Sequence, residues 1–150
     1  MNKSHRFSSS VKDMSTSLLS QGTTIRIKAH GYSMYPSIKP GSLLIIEPIR
    51  GKGAPVKGEI VAIKREGGLV VHRVIKIIIE NGVRKYIARG DSNAFADAPV
   101  GIEMIAGRVI RAEATGENPI PANIRINKNP THFFNRLRVI IMMLGKKLKS

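Results

Sequence analysis

Short apolar runs with a period of two, separated by glycine- and asparagine-bearing turns, predict a mainly β domain: a compact antiparallel, barrel-like fold with a short helix at each end. Three observations carry this. Ile25 and Ile27 alternate with Arg26 and Lys28, as on a half-buried strand. Gly67-Gly68 and Asn81-Gly82 each stand between apolar runs, where hairpin turns belong. Apolar residues at helical spacing fall near the two ends of the chain, in residues 11–19 and 133–148.

Residues 1–10 are polar and serine-rich and are expected to be disordered. Val11, Met14, Leu18 and Leu19 then share one helical face, and Gly22 stops the helix. A strand from Thr23 runs into a turn at Gly31, and Pro40-Gly41 marks the next one. Leu43 to Ile46 is a continuous apolar run suited to an interior strand, and residues 49–58 form a glycine-rich loop. Glu59 to Arg65 alternates, Leu69 to Ile79 is a long β-branched strand, and Val83 to Arg89 returns from Asn81-Gly82. After the polar loop Gly90 to Pro99, strand character resumes over Ile102 to Ala112. Residues 114–130, rich in Pro and Asn, read as a linker, and Phe133, Leu137, Ile140 or Ile141, Leu144 and Leu148 give a closing helix. The organisation is thus a tail and helix (1–22), a β domain (23–113), the linker, and a basic amphipathic helix (131–150).

At 150 residues the chain has the length of one domain. The absence of cysteine removes disulfides, thiolate metal sites and a cysteine nucleophile. No metal or cofactor is expected. A formal charge of +15 points to an anionic partner, yet the seven Phe and Tyr residues are not interleaved with the cations as base-stacking surfaces require, so no specific nucleic acid is expected. No stretch approaches the roughly 18–20 apolar residues of a membrane span, and no secretory signal opens the chain. A cytoplasmic location follows as the expectation. Arg136, Arg138, Lys146, Lys147 and Lys149 flank or follow the apolar run Val139–Leu144, so the last helix either contacts anionic membrane at its inner face or docks on its own domain.

Three places could carry chemistry. Ser33, in Gly31-Tyr32-Ser33-Met34-Tyr35-Pro36, reads as a nucleophile presented just past a strand end. A serine hydroxyl needs a base and oxyanion donors. His72, in Val70-Val71-His72-Arg73-Val74, is the side chain matched to proton transfer near neutral pH, although a lone histidine in a strand can equally be a core or surface residue. Asp91 or Asp97, in the loop Gly90-Asp91-Ser92-Asn93-Ala94-Phe95-Ala96-Asp97, could fix the tautomer of that histidine, whereas Gly-Asp-Ser-Asn can also be an Asx-type turn. A calcium loop would need a central glycine and closing glutamate that are missing here.

In order, these boxes resemble the signal peptidase and LexA-like superfamily of serine peptidases. The resemblance spans about Ile25 to Arg111 and includes Pro40-Gly41-Ser42-Leu43-Leu44, Gly58-Glu59-Ile60-Val61, Val71-His72-Arg73-Val74-Ile75, Gly90-Asp91-Ser92-Asn93 and Gly107-Arg108-Val109. It implies a serine endopeptidase acting on a peptide or protein, with Ser33 as nucleophile, His72 as base where many members carry lysine, and Asp97 orienting His72. Asp91 would support the site, with Gly31 and Met34 flanking the serine. Lys64 and Lys76 are alternative bases outside the lysine box. Signal peptidases carry a serine where this chain has Gly31, so the oxyanion is expected to rest on backbone amides, that of Ser33 included. They also carry a membrane helix near the N-terminus, where a short amphipathic helix is expected here.

Two other functions compete. A non-catalytic peptide-binding or regulatory module would keep the fold without the reaction. A DNA-binding repressor would need a helix-turn-helix domain, for which the segment before Gly31 is expected to be too short.

Overall fold

The computed structural model describes residues 14–113, 120–121 and 132–147. The expected N-terminal tail and most of the expected linker therefore lie outside the described residues, as do Leu148 and Lys149. The first helix, α1, covers residues 14–20. It ends in a paired cap: the Thr23 amide donates to Leu18 O (2.9 Å) and the Gly22 amide to Leu19 O (3.1 Å), with Gly22 at a φ of 87°. Leu19 is buried in the core beneath it.

The strands are β1 (Ile25–Lys28), β2 (Leu43–Pro48), β3 (Ile60–Arg65), β4 (Gly68–Glu80), β5 (Val83–Arg89), β6 (Ile105–Glu113) and β7 (Ile120–Pro121). They form one antiparallel sheet in the order β1-β2-β6-β3-β4-β5, with β7 pairing β6 as well. The pairing of Ile120–Pro121 puts part of the expected linker into the sheet. The Asn81-Gly82 hairpin forms as expected, with φ of 51° and 75° matching the twist of the flanking strands. The preceding hairpin turns one residue earlier than expected, because Arg65 pairs with Gly68. Ile102–Met104 is a single 3-10 turn, so β6 starts at Ile105 rather than Ile102.

The expected barrel does not close. Closure needs a ladder between first and last strands. Here the outer edge of β5 is taken by the segment after the acidic loop: Tyr86 and Val100 exchange two backbone bonds of 2.8 and 2.9 Å. The far side of β1 lines an open cleft instead. The result is an open sheet.

Apolar side chains gather in two clusters, and β3 feeds both. Ile60 and Ala62 join Leu19, Met34, Ile38 and Leu44, whereas Val61 and Ile63 join Val74, Tyr86, Ala88 and Ile105. The expected half-buried β3 is thus buried on both faces, because β6 and β4 enclose it laterally while each face meets its own cluster. In β2 the reverse holds: Leu44 and Ile46 are fully buried and Leu43 and Ile45 only partly, so the apolar run is one-sided.

The C-terminal helix α2 spans His132–Lys147. Among the described residues no helix is long and apolar enough to cross a membrane.

Candidate active site

Ser33 sits in a tight turn that follows β1. Gly31 opens it at a φ of 75°, a region that favours glycine. The amides of Tyr35 and Ile38 donate to Tyr32 O (3.0 Å) and Met34 O (2.9 Å), and the buried side chains of Met34 and Ile38 pin the turn to the core. Met34, next to Ser33 in the chain, is thus a core residue of the turn. Among the described residues the Ser33 amide and hydroxyl make no hydrogen bond, to His72 included. The bond from a nucleophile to its base commonly tightens only with substrate in place.

The Ser33 carbonyl, by contrast, is firmly held. It accepts from the Ser92 amide (2.9 Å) and the Ser92 hydroxyl (3.0 Å), and that hydroxyl lies 2.6 Å from Tyr32 O. Gly90 lets the two segments meet, since a Cβ there would stand 2.7 Å from Ser33 O.

The other end of the same loop reaches His72. The Asp97 amide donates to Ala88 O (2.8 Å) on β5, which carries the loop back beside β4. There Asp97 Oδ2 lies 2.6 Å from Nδ1 of the buried His72. A carboxylate can only accept, so this contact places a proton on Nδ1, and the tautomer that serves as a base then keeps its lone pair on Nε2.

Asp91 has different partners. Arg73 grips it in a fork, Nε to Oδ1 at 2.9 Å and Nη2 to Oδ2 at 2.8 Å, and the Ser37 hydroxyl donates to Oδ2. Arg73 also donates through Nη1 to Gly58 O (2.8 Å). This network fastens the loop, the serine turn and β4 together. Sequence alone assigns Arg73 and Ser37 no role. A signal for Arg73 was there: neighbours on a strand face opposite ways, so His72 and Arg73 would take different acids.

The alternative bases lie elsewhere. Lys64 Nζ donates to Glu103 O (3.0 Å), and Lys76 is exposed. Among the described residues no group of three His, Asp or Glu could hold a metal ion.

A cleft of about 1120 Å³ opens beside Ser33. Its walls are mostly apolar: Leu18 of α1, the residues of β1, and Leu69 to Val71 leading directly to His72.

An open antiparallel domain presenting a serine whose hydroxyl is unbonded, tied through its carbonyl by one loop to a histidine–carboxylate pair, has a serine peptidase-type build. The chain belongs to the Peptidase S24-like family, whose model matches residues 3–110. This agrees with the resemblance to signal peptidases and LexA-like proteins. No curated protein matches the chain at a significant level.

Proposed function

We infer that this protein is a serine endopeptidase that cleaves an extended peptide through an acyl-enzyme. The loop Gly90–Asp97 carries the reading: one end holds the Ser33 carbonyl and the other bonds the ring of His72 at 2.6 Å. In this scheme Ser33 Oγ bonds the scissile carbonyl carbon while its proton passes to His72 Nε2. The oxyanion takes backbone donors, the uncommitted Ser33 amide among them. As the C–N bond breaks, His72 returns the proton to the leaving amine. Water then attacks the ester with His72 as base, the C–Oγ bond breaks, and Ser33 recovers its proton. Asp97 holds the tautomer and stabilises the imidazolium.

The cleft supports a peptide substrate. The outer edge of β1 offers backbone groups to which an extended chain can add as a further strand, with apolar side chains entering the cleft. The test is labelling of the full chain by a fluorophosphonate probe. Ser33 should be modified in the wild type, with labelling lost in Ser33→Ala and strongly slowed in His72→Ala while circular dichroism is unchanged. A folded wild type that binds peptide and is never labelled would instead make it a non-catalytic module.

A further inference from the structure

The apolar face of the C-terminal helix is turned away from its own domain. Leu137, Ile140, Ile141 and Leu144, at i, i+3, i+4 and i+7, are 43, 45, 59 and 56% exposed. Such a stripe ordinarily faces a core. Here the contacts lie on the opposite side. Val139, at 9% exposure, is the buried one among the described side chains of the helix, and Lys146 donates to Tyr32 Oη at 2.7 Å. At 100° per residue, Val139 and Lys146 project nearly opposite the stripe, and Arg136 and Arg138 lie on its two flanks.

We propose that this stripe is a docking surface for an anionic lipid bilayer, into whose interface the helix lies flat. Charge selects this occupant. From Asn118 to Ser150 the chain has no acidic residue and carries seven Lys and Arg, within a protein of net charge +15. An apolar stripe with cations on both flanks suits acyl chains beneath anionic headgroups. A second copy would bring Arg136 and Arg138 against their own kind. A nucleic acid would match the cations and leave the four apolar side chains in water. The bond to Tyr32 gives the docking a functional direction: a helix lying on the bilayer brings the residue next to Ser33 to the membrane surface, so the cleft meets substrates there.

The experiment is co-sedimentation of the full chain with vesicles of phosphatidylcholine alone or mixed with phosphatidylglycerol. Partition into the anionic vesicles should be at least about tenfold stronger and weaken with salt. The double variant Ile141→Asp/Leu144→Asp should lower it by at least about tenfold, with circular dichroism and thermal midpoint unchanged because both residues are exposed. Ser33→Ala should bind vesicles like the wild type, which keeps this result independent of the peptidase reading. Equal partition into both vesicle types, or undiminished binding by the double variant, would overturn the proposal. So would a dimer in sedimentation velocity that the double variant dissolves, or a preference for duplex DNA over anionic vesicles.

Discussion

Asp97 and His72 meet through a single 2.6 Å contact between Oδ2 and Nδ1, although their two segments are joined by the whole β4–β5 hairpin. The contact depends on the chain beyond β5 running back along that strand, where the Asp97 amide donates to Ala88 O (2.8 Å). Strand pairing thus sets the carboxylate, and the carboxylate sets the ring.

Asp97→Asn should separate chemistry from folding. The amide can still reach Nδ1 but favours the opposite tautomer, so Nε2 would carry the proton and could not act as base. Probe labelling of Ser33 and peptide cleavage should fall by about 10³–10⁴-fold. Circular dichroism and the urea midpoint should stay close to those of the wild type.

Asp91→Ala should do the reverse. Its carboxylate is nearly fully buried in the fork of Arg73, and removal leaves a guanidinium with little access to water. The expected loss is about 3–5 kcal/mol in urea unfolding, whereas Asp91→Ala/Arg73→Met should lose less than the sum of the two single changes. Additive losses would show that the pair is not coupled.

Two glycines should fail for different reasons. In Gly90→Ala the new methyl meets Ser33 O at 2.7 Å and Asn93 Nδ2 at 2.8 Å, which pushes the serine turn away. Labelling should drop, with about 1–3 kcal/mol lost to overpacking. In Gly31→Ala nothing lies within 4 Å of the methyl, and the cost is backbone strain at a φ of 75°, about 1–2 kcal/mol. A crystal structure of Gly90→Ala with an unmoved Ser33 carbonyl would contradict the first account.

The two-sided burial of β3 makes Ile63→Ala expensive. With the side chain 1% exposed, the expected loss is about 2–5 kcal/mol, whereas Ile79→Ala, at 65% exposure near the hairpin tip, should stay within about 0.5 kcal/mol. Thermal unfolding of the two variants side by side is the check.

Much of the fold was legible because its signals are local. Asn81-Gly82 supplies two residues that tolerate positive φ, which dictates a two-residue hairpin wherever that hairpin later packs. Gly22 similarly marks the end of α1. The environment of β3 was hidden for the opposite reason: whether Ile60–Ile63 is covered on one face or two depends on β6, more than forty residues away, lying alongside it. Closure of the sheet was hidden in the same way, since the chain after the acidic loop, rather than β1, takes the free edge of β5.

The sequence by itself determined the short antiparallel strands, their turns, the cationic last helix, and the serine, histidine and acidic boxes in their order, since each depends on neighbouring residues and periodicity. Tertiary structure decided which acid serves which base. Asp91 and Asp97 share one polar loop, and composition and spacing do not aim them; only the family resemblance points to Asp97. The choice falls when β4 turns His72 and Arg73 to opposite faces: the guanidinium fork fits both oxygens of Asp91, and the imidazole is left to Asp97. Tertiary structure also decided the aspect of the last helix, for the same apolar stripe could have faced core or solvent. Val139 and Lys146 on the far side settle that it faces out.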